Sequence, residues 1–178
     1  MELYLIRHGI AEERELGIKD EERSLTKEGR QKTEKVAQKL VKLGFNFELI
    51  LTSPLVRARQ TAEILLAARL SSQLEESSYL APDGDISSWI KDWLKPKNFS
   101  QNIQLALVGH EPDLSNWAEI LLWGSEIPSG GSQIKELSEA KAGLVLKKAG
   151  MIGIKLPETG TPLGRSQMFW LTPPKYLL

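Results

Sequence analysis

The sequence predicts an α/β fold: a three-layer α/β/α sandwich with a mostly parallel central sheet. Three observations lead there. Short, wholly apolar runs recur at Leu3–Ile6, Leu49–Leu51 and Leu105–Val108, and a strand apolar at every position is one covered on both faces. Segments of helical periodicity separate these runs, so strand and helix alternate. Two of the runs end in a histidine beside a glycine, His8-Gly9 and Gly109-His110. Open α/β sheets place their ligands at the carboxyl ends of strands. With 178 residues, the chain reads as one domain, 1–178.

Each element follows from its own signals. After the first strand, the charged segment Ala11–Arg23 has little periodicity and reads as a solvated loop over the strand ends. Thr26 is the expected N-cap of a first helix. Its inner face is Thr33, Val36, Ala37, Leu40, Val41 and Leu43, and Gly44 is its stop. After Leu49–Leu51, Ser53-Pro54 is read as cap and first-turn proline of a second helix running to about Leu70. Ser71–Ser78 is polar, and Tyr79-Leu80 is expected to close a third strand or an extended piece. Asp85 caps a helix with Ile86, Trp89, Ile90, Trp93 and Leu94 on one face, ended by Pro96. The three tryptophans Trp89, Trp93 and Trp117 are at helical spacing and read as core anchors. Pro112-Asp113 opens a further helix carrying Leu114, Trp117, Ala118, Leu121 and Leu122, stopped by Gly124. Ser125–Ser138 reads as a loop, with Gly130-Gly131 a turn. Leu144–Leu146, Ile152–Leu156 and Phe169–Leu171 are expected late strands.

Composition narrows the function. Lys+Arg and Asp+Glu both number 23, so the net charge is zero, which argues against bulk nucleic-acid or membrane binding. With no cysteine, thiolate catalysis, disulfides and Cys-based metal sites are excluded. No secretory signal is visible after Met1-Glu2. The stretch Ala62–Leu70 is too short and too charged to span a bilayer. A cytoplasmic location is expected.

The chemistry is carried by Arg7-His8-Gly9 and His110. A neutral imidazole is a competent nucleophile near neutral pH, and Arg7 beside His8 is expected to lower its pKa. Arginine suits two phosphate oxygens at once through its planar fork. Phosphoryl transfer needs mainly positioning and cancellation of negative charge. A second arginine, Arg57, stands one turn into a helix that follows a strand, where the helix end also favours an anion. Gln60 and Thr61 share its face, while Arg59 points to solvent. Arg23, just before the first helix, is placed at the same mouth.

Together, Arg7-His8-Gly9, Leu25-Thr26-x-x-Gly29, Ser53-Pro54-x-x-Arg57-x-x-Gln60-Thr61 and Val108-Gly109-His110 resemble the histidine phosphatase superfamily, the phosphoglycerate-mutase-like proteins. The small size and the run Leu80-Ala81-Pro82-Asp83-Gly84-Asp85 look most like its SixA-type phosphohistidine phosphatases. The likeness covers Glu2 to about Gly124, and Trp170–Pro173 is similar in character. The resemblance implies that His8 accepts the phosphoryl group as a covalent phosphohistidine. It implies that Arg7, Arg57 and His110 bind the phosphate and stabilise its transition-state charge; by their positions Gly9 and Arg23 are placed in the same phosphate-binding set. It implies no cofactor and no metal. The partner is then a phosphorylated protein, such as a phosphohistidine domain, or a small phosphorylated substrate.

One departure bears on substrate. Many family members carry a glutamate after the third strand as acid for an alcohol leaving group, and Tyr79–Asp85 has none. An imidazole leaves near its own pKa with less acid help than an alkoxide, which favours phosphohistidine. Asp83, Glu13 and Glu111 are the carboxyl groups available as an alternative acid, although Glu111 reads first as a cap of the helix after His110. Two rivals stand beside this reading: a phosphatase or mutase of small phosphoesters, and a non-catalytic phosphate-binding or docking module.

Overall fold

The computed structural model describes residues 1–14, 16–17, 19–124 and 143–178. A six-stranded sheet is built from β1 (Glu2–Arg7), β2 (Leu49–Thr52), β3 (Leu74–Glu76), β4 (Gln104–Gly109), β5 (Met151–Lys155) and β6 (Gln167–Thr172). Their spatial order is β3-β2-β4-β1-β5-β6. The pairs β1/β4, β2/β4 and β2/β3 are parallel, and β5 is antiparallel to both β1 and β6. Only β5 therefore runs against the rest, and the sheet is mostly parallel as expected.

The period-2 alternation of side chains explains the layers. On one face Leu3, Leu5, Leu49, Leu51, Leu105 and Leu107 meet α3 (Ile86–Ser88), the π turn that follows it (Trp89–Leu94) and α5 (Asp113–Trp123) through Ile86, Trp89, Leu114, Trp117 and Leu121. On the other, Tyr4, Ile6, Ile50, Ala106 and Val108 meet α1 (Lys27–Lys42) and α2 (Val56–Ala67) through Val36, Leu40, Ala58, Ala62 and Leu65. The central strands are apolar throughout because both faces are covered. Trp89 stacks on Trp93 at 5.6 Å and meets Trp117 at the same distance, so the tryptophans are packing anchors.

Several local expectations are corrected. The third strand is Leu74–Glu76, inside the polar stretch, while Tyr79-Leu80 forms a 3-10 turn over Ser78–Leu80. β3 is an edge strand only three residues long, so it needs little apolar surface. α2 begins at Val56, not at Pro54, and ends at Ala67, with Arg69 at φ 63° closing the turn beyond it. Val41 and Leu43 are 44% and 48% exposed, since the inner stripe of α1 ends at Leu40. Pro96 does not end its helix. A π turn over Trp89–Leu94 precedes α4 (Lys95–Lys97), and Asn98 at φ 46° is the terminator. The wider π turn relieves the clash between a proline ring and the preceding carbonyls. Leu144–Leu146 is not a strand. The readings of Ser125–Ser138 and Gly130-Gly131 lie outside the described residues.

Other expectations hold. Thr26 Oγ1 accepts from the Gly29 N–H at 2.9 Å, and Asp85 Oδ2 accepts from Ser88 N–H at 2.6 Å. Gly44 has φ 84°, the left-handed conformation that a helix stop requires.

Candidate active site

β1 and β4 are neighbours in register, Arg7 opposite Gly109. Each strand then ends in a histidine, and the His8 N–H donates to the Gly109 carbonyl at 3.1 Å. The two imidazole centroids lie 5.1 Å apart. Residues 102 positions apart in sequence thus become neighbours because parallel strands bring like ends together.

The His8 ring is fixed by one bond: Nδ1 lies 2.7 Å from the Gly9 carbonyl oxygen. A carbonyl only accepts, so the network assigns the proton to Nδ1 and the lone pair to Nε2. Burial pushes the His8 pKa down to about 3, with smaller contributions from His110, Arg57 and Arg7 and opposition from the Gly9 bond. Burial is thus the main cause of the shift that sequence reasoning assigned to Arg7. Either way, His8 is neutral at pH 7.

His110 Nε2 lies 2.8 Å from Ser53 Oγ, and Ser53 Oγ also accepts from the Leu55 N–H at 3.2 Å. Buried His110 Nδ1 has no partner. With the Ser53 hydroxyl donating to Nε2, Nδ1 carries the proton. Burial, then Arg57, pushes the His110 pKa down to about 4. The N-cap of α2 is Leu55, so Ser53 stands two residues before it and its hydroxyl serves His110 and the Leu55 N–H instead; Ser-Pro before a helix is a common cap signal that here marks a different role.

Two arginines converge on the same strand ends. Arg7 Nη1 donates to the Leu146 carbonyl at 2.8 Å, and its buried Nε is unpartnered. Arg57, only 5% exposed on the first turn of α2, donates from Nη1 to the Asp20 carbonyl at 2.6 Å and from Nη2 to Asp20 Oδ2 at 2.8 Å. The same carboxylate takes Arg23 Nη1 at 2.7 Å and Arg14 Nε at 3.1 Å on Oδ1. These bonds, Arg23 first, hold the Asp20 carboxyl far below the usual range. The charged loop is thus docked rather than merely solvated, and Arg23 is tied to Arg57 through the shared Asp20 carboxylate. A lone aspartate in a run of mixed charge gave no sign of this.

The rest of the motif is scaffolding. Gly9 N–H donates to Thr61 Oγ1 at 3.0 Å, and Thr61 Oγ1 donates to the Arg57 carbonyl at 2.8 Å. Gln60 Oε1 accepts from Leu25 N–H at 2.7 Å. A Cβ on Gly9 would lie 2.5 Å from Thr33 Oγ1, and one on Gly29 would strike the Ile10 carbonyl, so both glycines let the first loop close on α1. Arg59 is surface, facing Glu63 and Glu76 at 3.7 Å each.

Of the three carboxyl groups considered as acids, Glu111 is not a backbone cap. Its Oε1 accepts from Ser115 Oγ at 2.7 Å and from Leu146 N–H at 2.8 Å. Asp83 and Glu13 are exposed. Asp83 N–H donates to Asp113 Oδ2 at 3.3 Å, and burial raises the Asp113 carboxyl above its ordinary range. Among the described residues no three His, Asp or Glu side chains cluster as metal ligands, and no helix is long and apolar enough to cross a membrane.

This arrangement matches known proteins at three levels. The model of the histidine phosphatase superfamily (branch 1) matches residues 3–91, half of the chain. An uncharacterized protein of Picosynechococcus sp. is 42% identical over 100% of this chain and 99% of its own length. The mitochondrial serine/threonine-protein phosphatase Pgam5 of Drosophila persimilis is 30% identical over 95 residues, 49% of this chain and 32% of that protein. The chain thus spans about a third of that relative's length. The solved structure of the protein histidine phosphatase SixA complexed with tungstate superposes over 100% of both chains at TM-score 0.75 and 22% identity. The alpha-ribazole phosphatase from Shigella flexneri aligns over 98% of this chain and 97% of its own, at TM-score 0.64 and 17% identity. At such identities the structural likeness is one of fold. Family model, fold and the paired histidines agree: the chain belongs to the histidine phosphatase superfamily, and its reaction is of the phosphatase type.

Proposed function

We propose that the protein dephosphorylates phosphohistidine in a signalling or phosphotransfer protein through a covalent intermediate on His8. The observation that carries this is the His8–Gly9 bond, which leaves Nε2 with a lone pair in a neutral imidazole. In this mechanism His8 Nε2 attacks phosphorus as the bond from phosphorus to the substrate's imidazole nitrogen breaks. That imidazole, protonated on its other nitrogen, departs neutral. Arg7, Arg57 and the His110 Nδ1–H take the charge on the phosphoryl oxygens. Water then attacks phosphorus, inorganic phosphate leaves and His8 is restored.

The leaving group supports phosphohistidine. Glu111 is engaged on both Ser115 and Leu146, and Asp20 is held as a carboxylate by three arginines. Asp20 is therefore no proton donor for an alkoxide, and Glu111 Oε1 is already taken by two donors. One observation favours a second reading, hydrolysis of small phosphoesters: the raised Asp113 carboxyl lies three residues beyond His110. Comparing turnover of a phosphorylated histidine domain with that of small sugar phosphates separates the two. The account expects kcat/KM to favour the phosphohistidine domain by at least about 100-fold, roughly 2.7 kcal/mol of differential transition-state binding. Equal or reversed preference overturns the substrate assignment and leaves the His8 chemistry standing.

A further inference from the structure

We infer that Asp20 is a built-in competitor for the phosphate site, an internal carboxylate that occupies Arg57, yields it to phosphate and returns to expel the product. This rests on the reading of Arg57 as a phosphate ligand given above. Three features of the structure lead to it. First, both terminal nitrogens of Arg57 are taken by one residue, Nη1 by the Asp20 carbonyl at 2.6 Å and Nη2 by Oδ2 at 2.8 Å. Those are the hydrogens a guanidinium presents to two phosphate oxygens, so substrate and Asp20 compete for the same donors.

Second, Asp20 is shared. Arg14, Arg23 and Arg57 all donate to its one carboxylate. Its single charge is therefore divided among three guanidinium groups, whereas a phosphate dianion brings two charges to Arg57. Third, Asp20 is the partner nearer solvent. It stands on the 3-10 turn Asp20–Glu22, which buries no residue, and its side chain is 36% exposed while that of Arg57 is 6% exposed. Phosphate therefore displaces the more exposed partner of the pair and not the buried one. When phosphate dissociates, Asp20 closes on Arg57 again and opposes rebinding.

The test is calorimetric titration of the full chain with inorganic phosphate. Wild type, Asp20→Asn, Asp20→Ala, Arg57→Ala and the double variant Asp20→Asn/Arg57→Ala are compared, with near-UV circular dichroism to show that each is folded. Charged hydrogen bonds are strong, but Asp20 is a third exposed, which screens its hold on the site. On the inference, Asp20→Asn and Asp20→Ala bind phosphate about tenfold more tightly than wild type, and the gain disappears in the Arg57→Ala background. Unchanged or weaker binding in both Asp20 variants overturns it, because Asp20 then serves to hold Arg57 in place. A gain that survives without Arg57 also overturns it, since the effect is then general charge removal and not competition. If Arg57→Ala binds phosphate as wild type does, the assignment of Arg57 fails and the inference with it.

Discussion

Acidification is the perturbation that reads the two histidines most directly. Each imidazole is neutral and buried in the fold, His8 with a pKa of about 3 and His110 of about 4, against 6.5 in the unfolded chain. Between pH 6.5 and those values the unfolded chain binds protons that the folded protein refuses. Stability therefore falls as pH falls through this window and is fully retained above it. At pH 5 each histidine costs about 2 kcal/mol by linkage, about 4 kcal/mol for the pair. That is a large share of an ordinary domain's 5–15 kcal/mol, roughly. Asp20 lies outside the window, because its depressed pKa matters only as pH drops below the ordinary carboxylate value of 3.8. Asp113, raised by burial, works in the opposite sense, so variants are needed to isolate the imidazoles. The assay is urea unfolding at pH 7 and pH 5 for wild type, His8→Gln, His110→Gln and the double variant. Wild type should lose about 4 kcal/mol more than the double variant, and each single variant about half of that difference. Equal losses in wild type and double variant would show that the histidines are solvated and cationic at pH 5, and the nucleophile assignment would lose its physical basis.

Three further outcomes follow from the same contacts. Ser53→Ala removes the hydroxyl at 2.8 Å from His110 Nε2 and should cost about 1–2 kcal/mol of stability. It should also lower kcat/KM about tenfold, both read from denaturation and steady-state kinetics. Gly9→Ala sets a Cβ against Thr33 Oγ1 and should destabilise by about 1–3 kcal/mol. Thr33→Ala, which deletes the obstructing atom, should recover part of that loss in the double variant, measured as a thermal-unfolding shift. Glu111→Gln weakens the clamp on the Leu146 N–H, whose carbonyl takes Arg7. It should raise KM for phosphorylated substrate several-fold with little change in the pH profile, whereas loss of a general acid would remove the basic limb.

Much of this architecture was readable in the residues because it is set locally. Leu3–Ile6 and Leu105–Val108 are apolar at every position, which only a doubly covered strand explains. The Thr26 cap and the Gly44 stop rest on side-chain and backbone chemistry within a turn. What escaped depends on tertiary partners. β3 is stabilised by its backbone pairing with β2, so Leu74–Glu76 carries no strong apolar signal. Ser53 spends its hydroxyl on a histidine 57 residues away, and no local pattern marks that. Asp20 is one acid in a mixed-charge run, and its meaning arises only when α2 delivers Arg57 beside it. The pKa of His8 was assigned to its charged neighbour, yet burial dominates, a quantity that sequence expresses only through the fold.

The central claim is that His8 Nε2 carries the phosphoryl group. Rapid quench of the full chain with radiolabelled phosphohistidine protein, followed by alkaline peptide mapping, tests it most directly. The account predicts a label on His8 that survives alkali, is lost in mild acid and is absent from His8→Ala. Turnover without any such label, or an unchanged label in His8→Ala, contradicts it.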